Sequence, residues 1–227
     1  MKRRMNKRVS SSILLSCLIL VVAIGGTLAY LSTKTQAKTN EFTFLGSNDI
    51  SATLSEPKWE GHLNDDAGYG KNLTPGAILE KDPIITNTCG LDEYVATRVT
   101  FQKGDGTTMT QAQYDKLLTL IEIDWNTADW AIDGTAGPVA IYDYNTLLTG
   151  ASAAPYNATN SLFTQVTIKQ NLTNEEMNWL KDAGTATAID GVEGIGGFNI
   201  YIEGAAIQGS EFADIDAAKA DLNALFS

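Results

Sequence analysis

Short runs of alternating apolar and polar residues recur along most of this chain, and they limit the folds open to it. The clearest run is residues 94–102 (YVATRVTFQ), where odd and even positions would line opposite faces of a strand. Turn signals such as Asp133-Gly134 and Asp190-Gly191 separate the runs. Further strands are predicted over residues 41–45, 50–54, 78–86, 120–125, 130–132, 139–144, 162–169 and 198–207. About nine short strands predict a mainly β fold, an antiparallel sandwich or jelly roll with two or three short helices.

The helices are predicted from their caps and their spacing. Thr110 can cap a helix over residues 111–118, and Thr173 with Glu176 forms a capping box that opens a helix ending near Lys181. Residues 214–226 carry apolar side chains at helical spacing, which predicts a helix packed on a sheet. Pro83 interrupts the run over residues 78–86 and favours an edge strand or a bulge there.

The first 29 residues have the layout of a secretory signal peptide. Five basic residues among the first eight precede an apolar run over residues 13–24, and small residues follow. Thr27 and Ala29 occupy the −3 and −1 positions of a cleavage site before Tyr30, so residues 30–227 would form one exported domain. Two alternatives remain open: lipidation at Cys17, within a sequence like a lipobox, and an uncleaved anchor.

Charge and cysteine content restrict the partners. Residues 1–29 hold five of the 16 basic residues and none of the 27 acidic ones, so the remainder has a net charge near −16. Such a surface repels nucleic acid and anionic lipid, which predicts no nucleic-acid partner and membrane contact only during export. Cys89 is then the only cysteine, so it is either a small buried residue or half of an intermolecular pair.

The sequence contains no recognisable catalytic, cofactor or metal motif. His62, predicted in a solvated loop over residues 60–66, is the single histidine, and a helical zinc protease needs two. The glycines of residues 191–197 precede a strand rather than opening a helix, so they lack the dinucleotide-binding context. The many carboxylates single out no glycosidase pair. We therefore expect a protein that is not an enzyme and carries no cofactor.

Three stretches carry a family resemblance. The junction GGTLAYLS (residues 25–32), followed by TNEFTF (residues 39–44), resembles the signal segment of proteins processed by the SipW-type signal peptidase. These proteins are the TasA and camelysin family of Gram-positive bacteria. The stretches LTPG (residues 73–76), KDPIITNT (residues 81–88) and YVATRV (residues 94–99) are similar to a pattern of that family, and residues 197–208 are similar to its last core strand.

This resemblance implies a jelly-roll protein secreted to the cell surface or biofilm matrix, where subunits or related matrix proteins join by lending an N-terminal strand. Residues 30–44 would then be the assembly arm, with Tyr30, Leu31, Phe42 and Phe44 as its anchors. The alternative for this segment is an ordinary first strand that pairs within its own domain. Two other functions remain open: a secreted hydrolase, such as a camelysin-like metallopeptidase, and a monomeric binding module that uses exposed tryptophans.

Overall fold

The computed structural model describes residues 32–34, 40–41, 50–66, 68–153 and 157–227. The strands in these ranges are β1 (Ser32–Lys34), β2 (Asn40–Glu41), β3 (Ala52–Ser55), β4 (Ile78–Glu80), β5 (Ile84–Asn87), β6 (Glu93–Lys103), β7 (Ile121–Ile123), β8 (Trp130–Asp133), β9 (Val139–Tyr144), β10 (Gln165–Ile168), β11 (Gly184–Ile189), β12 (Val192–Gly194) and β13 (Phe198–Gln208). The helices are α1 (Pro57–Asp65), α2 (Gln111–Leu120), α3 (Asn174–Lys181) and α4 (Ile215–Ala224). The expectation of a mainly β protein with antiparallel sheets is confirmed.

Strands β6 and β13 are the long central pair of the largest sheet. They are antiparallel and stay in register over their full length, from Phe198 opposite Lys103 to Gln208 opposite Glu93. The sheet has five strands in the order β1-β13-β6-β9-β8, so β1 and β8 are its edges. The remaining strands form two three-stranded sheets, β2-β3-β5 and β4-β10-β7, and the hairpin β11-β12.

Pro83 divides what the sequence predicts as one strand. The run over residues 78–86 is in fact β4 and β5, which lie at the edges of two different sheets. Proline has no N–H to donate to a ladder, so a strand that reaches it loses pairing and the chain can change direction there. The prediction of one interrupted strand was therefore wrong, and the prediction of an edge position was correct.

Two apolar clusters lie on opposite faces of the five-stranded sheet. Val95, Val99 and Phe101 of β6 belong to the main core, together with buried residues of the three-stranded sheets and of helices α2 and α3. Tyr94 and Ala96, from the alternate positions of β6, belong to a second cluster that α4 covers. The period-two pattern of β6 therefore reflects burial on both faces, not one buried and one solvated face.

The capped helices follow the prediction. Thr110 and Gln113 form a capping box on α2, and Thr173 and Glu176 form one on α3. Helix α4 begins after Asp214, whose carboxylate accepts a hydrogen bond from the Ala217 N–H, and it packs on β6, β9 and β13. The predicted packing of this helix on a sheet is confirmed.

Helix α1 and the β11–β12 hairpin were not predicted. The loop expected over residues 60–66 is mostly α1, which begins at Pro57, where the fixed φ of proline suits the first helical position. The Asp82 carboxylate accepts a hydrogen bond from the Lys58 N–H (2.8 Å) and so compensates an unpaired donor of the first turn. The hairpin turns at Asp190 and Gly191, both with positive φ, as two-residue hairpin turns require.

Within the described ranges, no helix has the length and apolar character needed to cross a membrane.

Candidate assembly edge

Strand β1 forms one edge of the five-stranded sheet by pairing with β13. The antiparallel register places Ser32 opposite Ile207, Thr33 opposite Ala206 and Lys34 opposite Ala205. β13 is paired with β6 along its whole length on the other side. Within the described residues, the ladder between the N-terminal segment and this sheet has three residue pairs, whose backbone hydrogen bonds contribute about 1 kcal/mol each.

The predicted arm residues flank the described strands. Tyr30 and Leu31 precede β1, and Phe42 and Phe44 follow β2; all four lie outside the described residues. The predicted cleavage positions Thr27 and Ala29 lie outside them as well. In this single chain, the backbone of residues 32–34 pairs within its own domain, which is the arrangement expected for an ordinary first strand.

The part of β13 opposite β1 is buried on both faces. Ala205 and Ile207 belong to the second cluster, whereas Ala206, between them, belongs to the main core. All three are at most 2% exposed. The strand that receives β1 is thus held in a fixed position by packing above and below it.

Helix α4 lies over this region and makes polar as well as apolar contacts. Ala218, Leu222 and the following Phe226 pack with Ala205 and Ile207. Asn223 Nδ2 donates to Asp133 Oδ2 (2.6 Å), and Lys219 Nζ lies 3.7 Å from Asp143 Oδ2. The Arg98 guanidinium, which is paired with Glu203, also donates to the Phe226 carbonyl.

Asp143 is a fully buried carboxylate under α4. Burial raises its pKa to about 6, and the positive charge of Lys219 offsets part of that effect. Neither of its oxygens has a hydrogen-bond partner, and the ion pair with Lys219 at 3.7 Å is longer than a hydrogen bond. The contact between α4 and the sheet therefore includes a charge that is only partly compensated.

Cys89 is buried two residues beyond β5, as the sequence suggested, and it contacts a second buried carboxylate. Its Sγ lies 3.1 Å from Glu93 Oε1, which also accepts a hydrogen bond from the Ser51 N–H (3.2 Å). Burial raises the pKa of the Cys89 thiol and raises that of Glu93 to about 7. A buried thiol with a raised pKa is a poor nucleophile, so this geometry does not favour catalysis by Cys89.

His62 lies in helix α1 rather than in a loop, and its partly exposed side chain belongs to a contact network between α1 and β4. Its Nε2 lies 2.8 Å from Glu80 Oε2, and its ring stacks on Tyr69. The Tyr69 hydroxyl accepts a hydrogen bond from the Glu80 N–H (2.7 Å), so it occupies one backbone donor of edge strand β4. Within the part of the chain that the structure describes, no group of three or more His, Cys, Asp or Glu side chains could hold a metal ion.

A buried ion pair lies beside the same helix. Lys81 Nζ donates to Glu56 Oε1 (2.5 Å), and Trp59 covers the ammonium group at 5.2 Å from its ring centroid. Desolvation lowers the pKa of Lys81, and the charge of Glu56 opposes this shift. The Lys-Asp-Pro stretch noted in the sequence thus contributes a buried lysine, a helix-capping aspartate and the proline that divides β4 from β5.

The four tryptophans are used in packing. Trp130 and Trp179 are buried, and their indole N–H groups donate to the carbonyls of Asn160 and Val192. Trp59 and Trp125 are partly buried against the main core. These contacts weaken the case for a binding module built on exposed tryptophans.

Comparisons of the chain with protein-family models, curated proteins and solved structures give no match.

Proposed function

We propose that this chain is a secreted structural protein of the cell surface or biofilm matrix, with a jelly-roll-like sandwich fold, that assembles by donating its N-terminal strand. The observation that carries this proposal is the short β1–β13 ladder at the sheet edge. The signal-peptide pattern of residues 1–29 and the family resemblance support export through a SipW-type signal peptidase.

A short edge strand near a chain terminus is the simplest element to exchange between subunits. The same β1 residues can pair with β13 of their own subunit or of a neighbour, so the two ladders are nearly equal in free energy. An edge that has lost its strand exposes unpaired backbone groups, and a strand from another chain can satisfy them. If each subunit donates β1 to the next one in an open head-to-tail series, the chain would polymerise.

The experiment is electron microscopy of the purified chain beginning at Tyr30, at increasing concentration. We expect fibres from this chain and none after deletion of residues 30–39, because the deletion removes β1. A control that replaces residues 35–39 by a Gly/Ser sequence of equal length keeps β1 and should still form fibres. A chain that stays monomeric at high concentration, or a deletion variant that still polymerises, would contradict strand donation.

The same preparations separate this proposal from its rivals. A camelysin-like metallopeptidase would hydrolyse casein in a chelator-sensitive manner, independently of the arm. A monomeric binding module would neither polymerise nor hydrolyse. Fibres without proteolysis are the result that the structural proposal expects.

A further inference from the structure

We propose that helix α4 is a latch on strand exchange: docked on the sheet, it holds β1 in its own subunit, and its release frees β1 for donation. This inference rests on the proposed function, because it concerns the regulation of the same edge. It assigns a role to the C-terminal helix, which contains none of the arm residues.

The latch follows first from shared residues. Ala205 and Ile207 of β13 pack under α4, and the same two residues are the partners of Lys34 and Ser32 in the β1 ladder. Each described residue of β1 pairs with one residue of β13, so this ladder depends on a fixed position of β13. Any movement of this end of β13 when α4 leaves would therefore weaken the hold on β1.

The second observation is that α4 belongs to a cluster separate from the main core. Ala218, Leu222 and Phe226 pack with one face of the five-stranded sheet, whereas the main core lies on the other face. Proteins open locally in such cooperative units, at a lower free energy than global unfolding. Detachment of α4 can thus leave the main core folded.

The polar contacts of α4 also indicate that this helix can detach from the sheet. Two of them bind the helix to the sheet, Asn223 to Asp133 and Lys219 to Asp143, and the carbonyl of Phe226, two residues after the helix, accepts a hydrogen bond from Arg98. The Asp143 carboxylate has no hydrogen bond, and the buried Asn223 Oδ1 has no partner. Unsatisfied buried polar atoms reduce the net gain from docking, so these polar contacts hold α4 less firmly than fully satisfied ones would.

Release of α4 also has a cost that makes the open state brief. It would expose Tyr94, Ala96, Ala205 and Ile207, all buried in the closed state. Exposed apolar area is unfavourable in water, so α4 redocks unless exchange intervenes. Helix α4 therefore controls how fast β1 exchanges between subunits, whereas the β1–β13 ladder determines which pairing is finally stable.

The test compares two leucines that are both fully buried in helices. Leu222→Ala weakens α4 in the second cluster, and Leu117→Ala makes a comparable cavity in the main core from α2. Hydrogen exchange of the wild-type monomer and both variants is followed in peptides covering β1 and residues 205–208, with residues 95–101 as the main-core reference. Because Leu→Ala leaves a cavity under α4, Leu222→Ala should speed hydrogen exchange at β1 by roughly tenfold or more relative to the reference peptide.

Leu117→Ala should instead speed exchange of all peptides together, because it acts through global unfolding. Equal acceleration of β1 by the two variants relative to the reference peptide would overturn the latch. The latch would also be overturned if Leu222→Ala speeds hydrogen exchange in α4 alone and leaves exchange in β1 and residues 205–208 unchanged. These outcomes are read on the monomer, so they hold whether or not fibres form.

A covalent closure gives the converse measurement. The variant Asp133→Cys with Asn223→Cys, in a Cys89→Ser background, can be bridged by dibromobimane to fix α4 on the sheet. The bridged chain should form fibres at least tenfold more slowly than the unbridged double variant treated with a monofunctional bimane. Equal rates for the two would overturn the latch and leave strand donation standing, whereas absence of fibres from every chain, including wild type, would overturn strand donation.

Discussion

Glu93 and Asp143 are fully buried carboxylates, and burial raises the pKa of each. That of Glu93 rises from 4.5 to about 7 and that of Asp143 from 3.8 to about 6. The folded state then binds the proton more tightly than the unfolded chain. This contribution to stability is complete below the unfolded pKa values near 4 and is lost as the pH rises through about 6 and 7.

We predict that the free energy of unfolding falls between pH 4.5 and pH 8, by about 3 kcal/mol for Glu93 alone at most. Glu93→Gln should remove roughly half of the total dependence, because a neutral amide does not titrate whereas Asp143 still does. The amide oxygen can still accept hydrogen bonds from the Ser51 N–H and the Cys89 thiol. Urea unfolding at several pH values measures it.

Glu122→Gln, an exposed change on β7, is the matched control and should leave the pH dependence unchanged. A Glu93→Gln variant that is as pH-dependent as the wild type would show that Glu93 does not titrate in this range. A free energy of unfolding that rises over the same pH interval would contradict the raised pKa values of the two carboxyl groups.

At the level of elements, the sequence was informative wherever one local signal decided the outcome. Residues 94–102 showed the strand period, and Thr173 with Glu176 showed the helix start, because both patterns reflect local geometry. Helix α1 was missed because it buries no residue, so it leaves no apolar stripe in the sequence. The β11–β12 strands were missed because glycines pair at their open end and the register shifts between the two ends, so only the turn had a local signature.

Only one half of the candidate edge, the arm, could be predicted from the sequence. The arm was expected from residues 30–44, but its partner on β13 is more than 160 residues away, and no local pattern specifies such a pair. The place of α4 above that pair depends on tertiary packing for the same reason. The amphipathic stripe of residues 214–226 indicated that the helix packs on a sheet, but not on which strands.

A prediction at this scale concerns the contact between the turn after β6 and the segment before β13. A Cβ on Gly104 would lie 1.9 Å from the Gly196 carbonyl oxygen, a backbone atom that cannot rotate away. Gly104→Ala should therefore separate the two segments and destabilise the protein by about 2 kcal/mol or more. Thermal unfolding followed by circular dichroism measures the change.

Gly61→Ala is the matched control, since a Cβ there meets no atom within 4 Å and lies inside α1. It should raise stability by up to about 1 kcal/mol, because alanine favours helix over glycine. If Gly104→Ala is as stable as the wild type, the close approach of the two segments is wrong.

At the scale of the whole molecule, three parts of the structure meet at the β6–β13 pair. One face of the pair forms part of the main core, the other supports α4, and the free side of β13 receives β1. The N-terminal and C-terminal elements of the described chain thus meet on a single strand. A change in either element is therefore expected to affect the proposed assembly.

The most direct measurement of strand donation uses cysteines at the paired positions 33 and 206 in a Cys89→Ser background. One sample of chain beginning at Tyr30 carries Thr33→Cys alone and another carries Ala206→Cys alone; they are mixed under assembly conditions, oxidised and separated without reductant. Because the two cysteines are on different chains, only β1 of one subunit paired with β13 of another brings them together. A mixture of Thr33→Cys with Ala186→Cys, an exposed position on β11, controls for random disulfides.

Strand donation predicts a covalent heterodimer that accumulates with assembly in the first mixture and not in the control. Fibres that form without this heterodimer, or a heterodimer no more abundant than in the control, would contradict it.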